Sequence, residues 1–151
     1  MSIAIALHVL AAIVWVGGMF FALLILRPAA GGLEGPLRLP LWGRVFGRFF
    51  PWVWASIGLL LLSGYWMVFS GWGGFAHLPV HVHIMQGLGW LMILVYLHLW
   101  FAPYKRLRRS IAAEDYAGGA RHLNQIRILV TINLFLGLLN AAIGASGRYW
   151  G

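Results

Sequence analysis

Four apolar segments, each close to the length of a membrane-spanning helix, constrain the fold of this 151-residue chain most strongly. A helix needs ~20 apolar residues to cross the hydrocarbon core of a bilayer. Only helices and closed barrels satisfy their backbone hydrogen bonds inside lipid. The sequence therefore predicts an all-α polytopic membrane protein with a single domain over residues 1–151. Its helices are expected at about residues 2–26, 50–70, 80–102 and 126–147.

The composition supports this class and limits the chemistry. Hydrophobic residues make up 62% of the chain and charged residues 9%, whereas soluble domains carry roughly 25% charged residues. The chain has no cysteine, which excludes disulfides, thiolate metal sites and iron–sulfur clusters. Any metal must therefore be bound by histidine, methionine, carboxylate or backbone atoms.

Basic residues are concentrated in two of the three connections between the segments. Such connections stay cytoplasmic, because Lys and Arg oppose translocation. We therefore expect an up-down-up-down four-helix bundle in a bacterial-type inner (plasma) membrane, with both termini periplasmic. The net charge of +8 therefore indicates the orientation of the chain in the membrane, and no nucleic-acid partner is expected. The ten basic residues are Arg27, Arg38, Arg44, Arg48, Lys105, Arg106, Arg108, Arg109, Arg121 and Arg127.

Two prolines suggest where helices begin and end. Residues 28–49 mix arginines with aromatic side chains, which predicts a segment lying along the inner membrane surface. Pro51 fits the first turn of helix two. Pro103 is expected to begin the second basic connection, which includes a short basic helix before Gly118-Gly119.

The stretch HLPVHVH places three histidines at the start of the third segment. His8 and His83 are expected at similar depth, roughly 5–9 Å below the outer membrane edge at 1.5 Å per residue. An ionisable residue inside a membrane is costly, so it suggests a function. The simpler alternative is a neutral histidine that forms a hydrogen bond with a neighbouring helix.

Two faces of the third helix favour different ligands, since His81 and His83 lie about 200° apart on it. The face of His83 favours haem b bound between His8 and His83, with His81 as the alternative second ligand. Gln86 would orient the imidazole, and Arg148 would pair with a propionate. The face of His81 favours copper, because imidazole and thioether ligands suit that metal. Plain packing is the alternative for the methionines. The copper ligands would be His77, His81, Met85 and Met67, with a stripe continuing to Met92.

Other polar residues have less specific interpretations. His98 would lie about 22 Å deeper than His83, close to the inner surface, so a second bis-histidine haem is not expected. The fourth segment carries a stripe of small and amide residues that either packs helices together or lines a cavity. Its members are Asn133, Gly137, Asn140 and Gly144.

The first helix, HVLAAIVWVGGMFFALLILRPA, is similar to that of two related families. Its His8, Trp15, Gly17 and Gly18 resemble the pattern of the CopD-like copper-resistance membrane proteins and of the HemJ-type protoporphyrinogen oxidases. LNQIRILVTINL and the Tyr96–His98 ending of ILVYLHLW also resemble HemJ segments. A HemJ resemblance implies haem b near His8 and electron transfer, whereas a CopD resemblance implies copper uptake or tolerance.

Gln125 and Arg127 replace the acidic residue and the proline of the HemJ motif. We therefore do not expect protoporphyrinogen oxidation, and another membrane oxidoreductase activity stays open. The primary hypothesis is a haem-b electron-transfer protein, and the alternative is a CopD-like copper-binding or copper-transport protein. Expected partners are the lipid bilayer and a quinone or a periplasmic redox or copper protein, with a homo-oligomer left open.

Overall fold

Four long helices form the protein in the computed structural model, which describes residues 1–150. All four are long and apolar enough to cross a membrane, and residues 1–150 contain no strand. The predicted all-α fold with four spanning helices is therefore confirmed. The helices are α1 (Ser2–Ala30), α2 (Gly35–Gly71), α3 (Val80–Ala112) and α4 (Tyr116–Tyr149).

Short connections join the helices, so successive helices run in opposite directions. The one between α2 and α3 contains a 3-10 turn at Phe75–His77. Helix α1 packs against α2 and α4, and α3 packs against α4. We call the end that holds the starts of α1 and α3 the histidine end, and the opposite one the basic end.

A π-helical turn interrupts both α1 and α3 near a proline. These turns lie at Ala22–Leu26, before Pro28, and at Trp100–Tyr104, which contains Pro103. Because proline donates no hydrogen bond and crowds the preceding turn, a π turn lets the helix continue with one register shift. The prediction that the third helix ends near Pro103 was therefore wrong. A separate short basic helix was expected within residues 104–116, but Lys105–Ala112 forms the last turns of α3.

Helix α2 begins at Gly35, so residues 35–49 are part of a spanning helix and not a separate surface segment. Pro51 consequently lies inside the helix. The segment is amphipathic, and its apolar side packs into the bundle through Leu39, Trp42, Phe46 and Phe50. At 37 residues, α2 is about 55 Å long. It therefore exceeds a hydrocarbon core of ~30 Å, and its basic turns extend beyond that core.

Helix α4 also starts earlier than expected, at Tyr116. Asp115 caps it, because the Asp115 carboxylate accepts a hydrogen bond from the Gly118 amide at 2.9 Å. Gly119 lets α4 approach α2, since a Cβ at that position would lie 2.9 Å from Leu39 Cδ1. The two glycines therefore belong to the helix and not to the preceding connection.

Aromatic side chains from α2 and α3 fill the middle of the bundle and its basic half. Phe50 is at their centre, stacked on Phe46 and in edge contact with Tyr96, Trp100 and Tyr104. The Tyr96 hydroxyl also donates to the Phe50 carbonyl at 3.3 Å. This cluster holds α2 and α3 together over the half of the bundle that lies away from the histidines.

Candidate metal site

Side chains with nitrogen or sulfur donors follow the contact between α3 and α4, which we call the α3–α4 seam. At each position the donor side chain occupies the space next to a glycine of α4. A Cβ at Gly144 would lie 3.4 Å from Met85 Sδ. One at Gly137 would lie 3.1 Å from Met92 Cε and 2.8 Å from Cγ2 of Val16 on α1. The seam therefore brings three donors into one line. The pairs are His81 with Gly147, Met85 with Gly144, and Met92 with Gly137.

Two asparagines of α4 fasten the same seam. Asn140 Nδ2 donates to the Met85 carbonyl at 3.2 Å, and Asn133 Nδ2 donates to the Met92 carbonyl at 3.1 Å. Because a carbonyl can only accept, each amide nitrogen must face it and each Oδ1 must face away. Both Oδ1 atoms are buried and have no hydrogen-bond partner among residues 1–150. The seam thus contains two unsatisfied acceptors, which are costly in an apolar interior.

His81 lies at the outermost position of the seam and is half-buried. The Trp150 ring covers it edge-on, with 6.3 Å between ring centroids. Met85 follows one turn later, about 6 Å along the helix axis, so both side chains face the last turns of α4. An imidazole nitrogen and a thioether at this spacing suit a soft cation such as Cu(I).

His8 belongs to a different contact, between α1 and α2. Its Nδ1 lies 3.0 Å from the Ser63 hydroxyl oxygen, and that hydroxyl donates its proton to the Leu59 carbonyl at 2.5 Å. Ser63 must therefore accept, which places a proton on His8 Nδ1 and leaves the lone pair on Nε2. His8 also packs on Gly64, since a Cβ there would lie 3.3 Å from its Cε1.

The other residues predicted for the haem site are not gathered around His8. His83 is exposed. The Gln86 amide donates to the Tyr65 hydroxyl at 3.0 Å, as does the Trp90 indole. Arg148 donates to the hydroxyl of its neighbour Tyr149. These residues therefore lie in separate contacts.

Two of the residues predicted for copper lie away from the seam. His77 is exposed in the 3-10 turn. Met67 is half-buried on α2, one turn from Ser63, and thus on the side of α2 that faces α1. Across residues 1–150 no group of three or more histidine or acidic side chains could hold a metal ion. Of the predicted set, the structure brings together only His81 and Met85, in line with Met92.

Sequence reasoning missed Ser63 and Tyr65 as the partners of His8 and Gln86. It also identified the stripe of small and amide residues on α4 without pairing it with the donors of α3. A usable signal existed, because Met85 and Met92 are seven residues apart and so are Gly137 and Gly144. Matching seven-residue spacings on two antiparallel helices indicate side chains that meet in successive layers.

Together, the fold and this seam define a polytopic helical membrane protein with imidazole and thioether donors between two helices. The family model for copper resistance protein D, CopD, matches residues 43–146. The matched region covers more than half of the chain, so the protein belongs to the CopD family and is related to copper resistance. Neither a curated protein nor a solved structure matches the chain.

The family match confirms the CopD part of the resemblance, and the HemJ part stays a prediction. The matched residues begin inside α2 and contain all of α3. They therefore include His81, Met85 and Met92, whereas α1 with His8 lies outside them.

Proposed function

We propose that this protein binds and conducts copper ions, as Cu(I), along the α3–α4 seam. The observation that carries the proposal is the alignment of His81, Met85 and Met92 against three glycines of α4. Membership of the CopD family supplies independent support, since it relates the protein to copper resistance.

The donors suit transient binding of copper. Thioether and imidazole select soft or borderline metals over Mg²⁺ or Ca²⁺. With no cysteine in the chain, no thiolate could hold the ion tightly, which favours release to the next donor. His81 and Met85 would form the first binding position, where the Trp150 ring could add a cation–π contact.

Inside the bundle, the unsatisfied amide oxygens extend the path. Asn140 lies level with Met85 and Asn133 level with Met92, because each bonds the backbone carbonyl of that methionine. Their free Oδ1 atoms present negative partial charge within an apolar seam. A passing cation, or water that accompanies it, would satisfy these acceptors, which are otherwise costly to bury.

The haem hypothesis has less support. A bis-histidine haem would need His8 and His83 to face one cavity, yet His8 packs on α2 and His83 is exposed. An optical spectrum of protein expressed with adequate haem tests this alternative, because a haem protein shows a Soret band that disappears in His8→Ala.

Copper accumulation by cells expressing the protein tests the proposal. Met85→Leu removes the thioether and keeps the side-chain volume close to that of Met, so accumulation and Cu(I) binding by purified protein should both fall. Met67→Leu is the matched control, since Met67 lies on the α1–α2 side. Unchanged accumulation in Met85→Leu, at equal expression, would refute the seam as the path.

A further inference from the structure

A cavity of about 460 Å³ lies at the basic end, between the end of α1 and the starts of α2 and α4. Its size is within the ~300–1,000 Å³ that is usual for small-molecule sites. One arginine from each of the three helices lines it: Arg27, Arg38 and Arg127. The cavity is distinct from the α3–α4 seam, which opens at the other end of the bundle.

No acidic side chain in the lining of the cavity neutralises the positive charge of its three arginines. None of the three acidic residues of the chain, Glu34, Glu114 and Asp115, lines it. Arg38 also lies near the start of α2, where the helix dipole is positive and a cation is unfavourable. Three guanidinium groups around one space therefore call for an anionic ligand, and their forked donors match phosphate or carboxylate oxygens.

The remaining wall of the cavity is apolar. It includes Trp42, Phe46 and Val130, each of which is buried. A small hydrated anion would leave this surface without a partner, whereas an amphiphile would contact both parts. Basic cavities between spanning helices are suited to lipid headgroups.

We propose that this cavity binds an anionic phospholipid. Arg27, Arg38 and Arg127 would donate to the phosphate oxygens, as charge-assisted hydrogen bonds. The aromatic wall would contact the start of an acyl chain. This site is independent of copper, so its test can fail or succeed without affecting the proposed function.

Lipid retention tests the proposal. The protein is reconstituted in nanodiscs that contain equal amounts of phosphatidylglycerol and phosphatidylcholine and is then released into detergent. Native mass spectrometry counts the lipid that stays bound. Wild-type protein should retain phosphatidylglycerol in preference to phosphatidylcholine. The variant Arg38→Gln/Arg127→Gln should lose about tenfold or more of that preference. Equal retention of the two lipids by wild-type protein would overturn the proposal.

The matched control is Arg44→Gln/Arg121→Gln. It removes the same two charges from the same two helices, but both residues are exposed and neither lines the cavity. The control should retain lipid as wild type does, and an equal loss would show that only overall charge matters and refute the site. Should the cavity variant prove unfolded by thermal melting, Arg38→Lys/Arg127→Lys replaces it, with the same expected direction because Lys lacks the fork.

A competition experiment distinguishes a bound lipid from a bound soluble anion. Inorganic phosphate at about 10 mM, far above the tight-binding range, should leave the retained phosphatidylglycerol in place, because it cannot use the apolar wall. Displacement of the lipid by phosphate would reject the phospholipid and assign the cavity to a soluble phosphate compound.

Discussion

Met85 of α3 lies directly against Gly144 of α4, so that a Cβ at position 144 would be only 2.9 Å from Met85 Cε. The glycine therefore determines where the thioether can lie. A related contact occurs seven residues away, where Met92 and, more closely, Val16 of α1 lie against Gly137. Glycine at both positions leaves room for the methionine side chains within the seam, which makes these contacts the most direct places to test the proposed copper binding.

Gly144→Ala should weaken Cu(I) binding by about tenfold, equivalent to ~1.4 kcal/mol. The added methyl group would displace the flexible end of Met85 and leave the backbone in place. Competition titration with a Cu(I) chelator measures the affinity. Gly87→Ala is the control, because a Cβ at that position on α3 meets nothing within 4 Å. An affinity that is equal in the two variants would contradict the role of the Met85 position.

Asn133→Leu should abolish copper conduction and change the stability of the protein only slightly. The substitution loses the hydrogen bond to the Met92 carbonyl, and such bonds between spanning helices average ~0.6 kcal/mol. It also removes the unsatisfied buried Oδ1, which offsets part of that loss. Copper uptake into proteoliposomes and thermal melting are the two measurements. Normal uptake together with an unchanged melting temperature would show that the amide is not part of the path.

Hydropathy was sufficient to predict the number of helices and the fold class, but not where the helices end. The apolar runs stop where arginines begin, yet helices α2 and α4 start 15 and 10 residues earlier than the predicted 50 and 126. A helix can extend beyond the hydrocarbon core, because water and lipid headgroups solvate its charged turns. The prediction that the third helix ends at Pro103 failed for a different reason, because a π turn accommodates the proline within the helix.

The candidate site was predictable in part. The pairing of His81 with Met85 follows from their spacing of four residues on one helix. Their spacing does not indicate which helix they face, because that depends on the rotation of α3 about its axis. The same limit applies to His8. Its depth in the membrane suggested His83 as its partner, but in the structure its side chain contacts Ser63.

Ser63→Ala should destabilise the protein because it leaves the His8 Nδ1–H without an acceptor. Hydrogen bonds between spanning helices average ~0.6 kcal/mol, so we expect a coupling energy of about 0.5–1.5 kcal/mol between His8 and Ser63. A double-mutant cycle of His8→Ala and Ser63→Ala, followed by unfolding in detergent, measures it. Additive effects of the two substitutions would mean that the bond contributes nothing.

Tyr65→Phe removes the acceptor that Gln86 and Trp90 share. Loss of two hydrogen bonds between spanning helices should lower the free energy of unfolding by about 1 kcal/mol, since such bonds average ~0.6 kcal/mol each. Thermal or denaturant unfolding in detergent measures the change. Tyr149→Phe is the control, because Tyr149 is 72% exposed. Equal stability of the two variants would show that the Tyr65 hydroxyl does not hold α2 and α3 together.

The direction of insertion decides whether the proposed copper path begins at the outer or at the cytoplasmic face of the membrane. Ten of the eleven Lys and Arg residues lie toward the basic end, and only Arg148 lies at the histidine end. Each basic residue moved across the membrane opposes insertion, so we expect the histidine end to be periplasmic. A reporter fused after Gly151 should therefore be active in the periplasm, and one inserted at Ala113, in the connection between α3 and α4, should be active in the cytoplasm. The opposite pattern would place His81 at the cytoplasmic face and turn the proposed uptake path into one for export.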